Sequence, residues 1–275
     1  MQRIFVVGCP RSGTTLLQSL LGTHRDLLTF TESAFFPKYF NHRLGLVYRV
    51  RADLPERVVE FLQENGLPPT PLRRPIRVGV TSRWGAEREA RTLVQLLDDL
   101  AAAAGKTAWL EKTPHNVLRL PLIEAAAPGA RFIHIVRSPE PTILSLRKAS
   151  AAWRRELDWR TSAETWMEAA RLSVAAASRP DHTLVLYEDL VEQPDAVIRA
   201  LVGWLGLDPE AYRLDDYVDV AKRIVVPREH WKANNVREIG SAAEPELAAE
   251  LTPPDIRALL SGSGLYEAAR AAATR

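Results

Sequence analysis

The sequence predicts an α/β fold, a central parallel β-sheet flanked by α-helices, on three observations. Short apolar runs alternate with helical stretches along most of the chain, the pattern of a parallel sheet joined by crossover helices. The first apolar run, residues 4–8 (IFVVG), leads through a glycine-bounded loop directly into a helix. A second run, residues 131–137 (RFIHIVR), is rich in β-branched residues and is followed by a helix that opens on proline, a favoured first-turn residue.

Taken in order, residues 4–8 read as a buried strand and residues 12–21 as the helix it feeds. A mixed, proline-containing segment spans 33–83, with a helix at 55–65 inside it. Residues 87–104 read as helix, 108–111 as a short strand and 114–126 as helix. Strand 131–137 is followed by helix 139–148, helix 164–178, strand 183–187 and helix 194–205. From residue 209 the chain reads as short helices and a charged loop ending in an alanine-rich helix. No internal repeat or low-complexity linker divides the 275 residues, so the expectation is one domain, 1–275, with variable regions at 33–106 and 206–275.

Composition narrows the function classes. Lys and Arg number 36 against 34 Asp and Glu, a formal net charge of +2, which gives no bulk electrostatic reason to bind nucleic acid or anionic lipid. Hydrophobic residues make up 46% and charged residues 25%, an ordinary globular balance that disfavours disorder or a coiled-coil rod. Cys9 is the one cysteine, so neither an intrachain disulfide nor a cysteine-rich zinc cluster can form. The opening apolar run is too short for a signal peptide, and no run of about 18 apolar residues spans a membrane. The expectation is a soluble cytoplasmic protein with no membrane or nucleic-acid partner. Arginine so outnumbers lysine, 30 to 6, that a GC-rich bacterial genome is the expected source.

The chemistry begins at residues 8–17, GCPRSGTTLL, between the first strand and its helix. A helix N-terminus there offers free backbone N–H groups and a positive dipole to an anion. The spacing Gly8-x4-Gly13 matches a phosphate-binding P-loop, so the domain is P-loop-like, but Thr14 stands where the defining lysine would be and Arg11 is the loop's only side-chain cation. Strand 131–136 ends in Arg137, where a magnesium-holding strand would end in aspartate. Guanidinium binds phosphate through a two-toothed fork, and Ser145, eight residues on, adds a hydroxyl. Two phosphate sites without a magnesium strand describe a nucleoside donor phosphorylated at both ends.

In these residues the chain resembles the sulfotransferases that use 3′-phosphoadenosine 5′-phosphosulfate (PAPS). The likeness is carried by PRSGTTLL at 10–17, EKTP at 111–114, R-x7-S at 137–145 and YEDL at 187–190. It is strong over 4–32 and 109–190, weak over 35–106 and after 205, and closer to the arginine-loop branch that acts on tyrosine and carbohydrate than to the lysine-loop cytosolic branch. The resemblance implies PAPS as donor, PAP as product and no metal. It implies that Arg11 contacts the 5′-phosphosulfate and that Ser12, Gly13, Thr14 and Thr15 hold the 5′-phosphate. Arg137 and Ser145 would take the 3′-phosphate, with Tyr187 at a strand end beside the nucleotide. Glu32 is implied as general base, Lys112 as the cation facing the sulfonyl oxygens, and His115 is the rival base because imidazole titrates near neutrality. On position alone, Glu32 reads as a capping or surface glutamate, His115 as an idle helix-start histidine, and Glu111 as a pairing partner of Lys112 or Arg11.

The cationic segment 223–237 sits where the family places a lid, and Arg228 and Lys232 are named from it as nucleotide contacts, although the cytosolic branch's R-K-G signature is missing. Cys9 reads as a packed residue beside the loop. Trp84, Trp153, Trp159 and Trp166 either line an acceptor pocket or fill the core, and Arg73, Arg74, Arg77 and Arg83 either attract an acidic acceptor or form a solvated face. The expected activity is sulfuryl transfer from PAPS to a hydroxyl of a small molecule, sugar or peptide tyrosine. Its rivals are an ATP- and magnesium-dependent phosphotransferase, disfavoured by the missing lysine and by Arg137, and a PAP-binding protein without catalysis, which would have no use for Glu32 and Lys112.

Overall fold

The structure, a computed structural model, describes residues 1–43, 47–151, 156–225 and 245–273. Strand β1 (Gln2–Gly8) enters the centre of a five-stranded sheet and hands the chain to helix α1 (Thr14–Leu21). The next strand, β2 (Leu27–Thr29), is only three residues long and is not legible as a strand in the sequence. Helix α2 (Phe35–Tyr39), strands β3 (Phe40–Arg43) and β4 (Val47–Val50), helix α3 (Leu54–Glu64) and strand β5 (Gly79–Ser82) fill the segment read as mixed. Helix α4 (Arg83–Ala103) leads into β6 (Ala108–Lys112), a 3-10 helix over Pro114–Arg119, α5 (Leu120–Ala126) and β7 (Arg131–Val136). Then follow α6 (Pro139–Ser150), α7 (Trp159–Ala176), β8 (His182–Leu186), α8 (Tyr187–Glu192) and α9 (Pro194–Leu205). A 3-10 turn at Leu214–Asp216 and helices α10 (Tyr217–Ile224), α11 (Pro245–Leu251), α12 (Pro254–Gly262) and α13 (Leu265–Ala273) complete the described chain.

The main sheet has the order β2-β6-β1-β7-β8, with every pairing parallel. Alternation along β1 explains why both faces are covered: Phe5 and Val7 enter one core layer, Ile4 and Val6 the other. The first layer packs α3, α4, α5 and α7 against Phe5, Trp109 and Phe132, with the rings of Phe5 and Phe132 stacked at 5.3 Å. The second packs Leu17, Leu20 and Leu21 of α1 and Leu201, Val202 and Leu205 of α9 against Ile133 and Ile135. A strand buried on both faces reads as a continuous apolar run, which is why β1 and β7 stand out in the sequence.

Two readings need correction. Residues 114–126 are not one helix: the 3-10 turn ends at Arg119, and a proline at Pro121 starts α5 afresh in its first turn. Tyr187 does not close a strand but opens α8, since β8 ends at Leu186. A second sheet, antiparallel in the order β3-β4-β5, was also not anticipated.

The register sets up the site. Val6 of β1 lies opposite Lys112, Gly8 opposite Ile135, and Val136 opposite Leu186. The chain leaves β1 toward β2 on one side and leaves the neighbouring β7 toward β8 on the other, so the strand order reverses between the carboxyl ends of β1 and β7, where open α/β sheets bind ligands.

Candidate active site

The loop between β1 and α1 is shaped by residues that could not be exchanged freely. A Cβ at Gly8 would sit 2.4 Å from the Ile135 carbonyl oxygen, and at Gly13, with φ +88°, 2.3 Å from Cδ2 of Tyr187. Among the described residues two non-glycines have positive φ, Arg11 (72°) and Ala34 (55°); one lies in this loop and the other directly beyond Glu32 and Ser33. Strained backbone of this kind persists where the surroundings hold it, commonly at sites. Helix α1 starts from Gly13 with no side-chain cap, so its first N–H groups face the loop as an anion cradle. Thr14 and Thr15 are buried, and the fully buried Ser12 hydroxyl has no hydrogen-bond partner beyond a contact with the Cys9 thiol. Burial pushes that thiol up to about 12, so Cys9 is packing and not a nucleophile.

Because Val136 pairs with Leu186, the residues that follow them, Arg137 and Tyr187, emerge side by side. The Arg137 guanidinium lies 4.4 Å from the centre of the Tyr187 ring, a cation–π contact. Glu188, next along α8, accepts from the backbone N–H of Ser138 at 2.9 Å and so ties the two strand ends together. The Arg137 carbonyl accepts from the indole N–H of Trp166 at 3.0 Å, which places Trp166 in the core. Arg11 donates Nε to the Ser145 hydroxyl on α6 at 3.1 Å. Burial, and then the nearby charge of Arg137, lower the pKa of Arg11 below the ordinary arginine value. Neither guanidinium has a carboxylate in ion-pair range among the described residues. A half-buried and a buried cation without counter-ions among the described residues form an electrostatic demand for a multiply charged anion.

On the other side of β1, Thr29 lies opposite Leu110, so the chain leaving β2 runs alongside the end of β6. Lys112 Nζ donates to Glu32 Oε2 at 2.9 Å, with the lysine side chain 2% exposed and the glutamate 24%. Glu111 points to the opposite face and pairs with neither Lys112 nor Arg11. It is fully buried and accepts from Ser33 Oγ at 2.6 Å, Thr113 Oγ1 at 2.6 Å and Asn116 Nδ2 at 2.7 Å. Burial raises its pKa above the usual carboxylate range against those bonds. His115 is half-buried; burial holds its pKa below the usual imidazole value, although the charge of Glu32 opposes the shift.

The structure thus brings Arg11, Ser12, Gly13, Thr14, Thr15, Arg137, Ser145 and Tyr187 to one cluster, and Glu32, Lys112 and His115 to a second on the adjacent strand ends. Arg228, Lys232 and Trp153 lie outside the described residues. Trp84 is exposed. Arg73 pairs with Asp99 and Arg83 with Glu87 at 2.8 Å, the behaviour of a solvated face, whereas Arg74 reaches the buried Glu89 at 3.2 Å, whose carboxylate also accepts from the Arg77 N–H. Sequence reasoning missed Arg57 of α3, which donates to the backbone carbonyls of Glu32 and Ser33; an arginine among glutamates in the segment PERVVEFLQE gave no signal of it. Among the described residues no group of three His, Cys, Asp or Glu side chains could hold a metal ion, and no helix is long and apolar enough to cross a membrane.

A parallel sheet with an uncapped strand-to-helix loop at its centre and an arginine following β7 defines a P-loop-like α/β protein. The family model of the Sulfotransferase family matches residues 3–211, and the chain belongs to that family: it is a sulfotransferase. A Caenorhabditis briggsae protein described as a candidate protein-tyrosine sulfotransferase is 23% identical over 242 residues, 86% of this chain and 76% of that protein. Nodulation protein NoeE of Sinorhizobium fredii is 29% identical over 235 residues, 74% of this chain but half of NoeE. Among solved structures, the sulfotransferase domain of the curacin biosynthetic pathway superposes with a TM-score of 0.57 at 17% identity, covering 95% of this chain and 96% of that one. Mouse sulfotransferase SULT7A1 complexed with PAP gives 0.55 at 13% identity, covering 98% and 88%. At these identities the structural likeness carries the fold.

Proposed function

We propose that the chain moves a sulfuryl group from PAPS to a hydroxyl acceptor, a small molecule, sugar or peptide tyrosine, by in-line displacement. The observation that supports this reading is the pair of guanidiniums without carboxylates, Arg11 and Arg137, flanking the uncapped start of α1. The donor set fits a nucleoside phosphorylated at both ends: Ser12, Thr14, Thr15 and the α1 N–H groups for the 5′-phosphosulfate, Arg137 and Ser145 for the 3′-phosphate. Bound there, PAPS supplies the sulfur centre and the leaving phosphate. Glu32 removes the acceptor's hydroxyl proton, and that oxygen takes the sulfur as its bond to the phosphate oxygen breaks. Arg11 meets the charge that develops on the departing oxygen. Lys112, held at Glu32 in the free protein, would balance the charge on the sulfonyl oxygens. No step calls on a metal ion.

His115 is the second reading for the base, since it is kept neutral beside Glu32. The reading also includes one sulfotransferase domain over 1–275, with acceptor and lid functions in 33–106 and 206–275, and a bacterial cytoplasmic setting. Calorimetric titration with PAP, and separately with ATP and magnesium, tests the donor. PAP binding is the expected result, and ATP binding without PAP binding would overturn it. A panel of a phenol, a tyrosine peptide and an oligosaccharide with PAPS then identifies the acceptor class.

A further inference from the structure

Glu32 lies on a loop, and a loop base needs an outside scaffold to hold it to the sub-ångström placement that proton transfer demands. The scaffold is helix α3. The Arg57 side chain is only 5% exposed, and its hydrogen bonds match the five N–H donors of a guanidinium. Nη2 donates to the carbonyl oxygen of Glu32 at 2.9 Å and Nε to that of Ser33 at 3.1 Å. The rest go to Glu64 Oε1 and Oε2, both at 3.0 Å, and to Glu60 at 3.4 Å. Glu64, one helical stretch further along α3, therefore orients the fork that grips the loop. Asn65, just past the end of α3, takes the N–H of Thr31 at 2.9 Å and returns an N–H to its hydroxyl at 2.9 Å. From the opposite side, Glu111 accepts from Ser33 Oγ, and Thr113 Oγ1 accepts from the N–H of Ala34 at 3.1 Å. Each residue from 31 to 34 is thus tied down by backbone or side chain, and the Glu32 carboxylate is left pointing at Lys112.

We propose that Arg57 is a positioning residue for sulfuryl transfer, acting through the Glu32 and Ser33 carbonyls to fix where the Glu32 carboxylate stands relative to Lys112; this rests on the reading of Glu32 as the base. Two successive carbonyls taken by Nε and Nη2 of one planar fork suit guanidinium and not ammonium, because lysine is a point charge on a flexible stem. Lysine at this position keeps the charge opposite Glu64 and loses the simultaneous grip on both carbonyls.

The test uses the full chain with Arg57→Lys and Arg57→Met, each read three ways. Amide hydrogen exchange over residues 31–34, measured with PAP present, is expected to rise about ten-fold or more in both variants while residues 9–15 stay protected. PAP affinity is expected to stay at the wild-type value. With an acceptor from the panel, kcat is expected to fall about ten- to hundred-fold with acceptor KM little changed. Unchanged exchange at 31–34 in a folded variant overturns the proposal. Exchange that rises evenly across the chain, with lower thermal stability but unchanged kcat per folded molecule, also overturns it, since that is a structural role. Failure of wild-type protein to bind PAP sinks the donor reading instead and leaves the exchange result standing.

Discussion

The two halves of the cleft are built on opposite electrostatic plans. On the side of β7 and β8, Arg11 and Arg137 stand near one another with no carboxylate in ion-pair range among the described residues, and the α1 N-terminus faces the same space. On the side of β2 and β6, the charged groups have partners: Lys112 with Glu32, Arg57 with Glu64, and Glu111 with three neutral hydrogen-bond donors. The first half is a region of unmet positive charge, whose neutralisation waits for a ligand. The second has its charged groups partnered in the free protein and holds one carboxylate in place. On the proposed reading the first is the binding half and the second the chemical half, so substitutions in each should move different observables.

The largest expected effect is on the chemical half. Glu32→Gln keeps the shape and removes the base, and turnover should fall by about 10²–10⁴-fold while PAP binding is kept, because the nucleotide half is untouched. Rapid-quench turnover beside calorimetry checks this; full activity in Glu32→Gln would pass the base role to His115. Next comes the binding half. Arg137→Ala removes charge-assisted hydrogen bonds worth about 1.5–3 kcal/mol, and the PAP dissociation constant should rise by roughly 10- to 150-fold. Equal affinity in that variant would mean that Arg137 does not face the ligand.

The binding half was largely legible in the sequence, and the chemical half much less so. Residues 8–17 carry a local strand–loop–helix pattern, and β7 is a buried apolar run with Arg137 at its end, so each piece announces itself within a few residues. The grip on Glu32 depends on contacts 24 and 25 residues away at Arg57, and 78 residues away between Ser33 and Glu111. Nothing local marks such contacts. For the same reason β2 was missed at three residues, and so was the β3-β4-β5 sheet, whose β4 and β5 pair across the whole of α3. Tyr187 reads in the sequence as a strand end beside the nucleotide, yet it opens α8 with its ring against Arg137, because a strand end and a helix start differ by one residue's backbone.

A third expected effect concerns how the loop is held against the binding half. Gly13→Ala puts a methyl 2.3 Å from the Tyr187 ring at φ +88°, a strained conformation for alanine costing about 1–3 kcal/mol. Thermal melting should drop by several degrees, and PAP affinity with it, since Tyr187 must shift away from Arg137. A histidine pair inside β7 and β8, short of the strands' carboxyl ends, serves as a control. His134, fully buried against His182 at 2.9 Å, is held neutral, its pKa pushed down to about 3 by burial and by the nearby charges of His182 and Arg179. Glu124, hydrogen-bonded to His182 and paired with Arg179, is held down to about 2. Both folded values lie below those of the unfolded chain, so their stabilisation is complete above about pH 6.5 for the histidine and pH 4.5 for the glutamate. It is lost as pH falls toward the folded values. Urea unfolding at pH 7 and pH 5 should differ by about 1–2 kcal/mol, and His134→Leu should flatten that difference while leaving PAP binding at pH 7 unchanged.

The smallest effect sharpens the comparison most. Ser145 Oγ accepts from Arg11 Nε at 3.1 Å, so in the free protein it steers the loop cation while remaining able to donate its own proton to a phosphate. Ser145→Ala removes one hydrogen bond of about 0.5–1.5 kcal/mol, and PAP should bind about two- to twelve-fold more weakly. Because both guanidiniums remain, the salt dependence of binding should be unchanged in Ser145→Ala and shallower in Arg137→Ala, where a charge has gone. If Ser145→Ala flattened the salt dependence as Arg137→Ala does, then Arg11 would need Ser145 to reach the ligand at all, and the two cations would have to be treated as one coupled unit joined through the α6 hydroxyl.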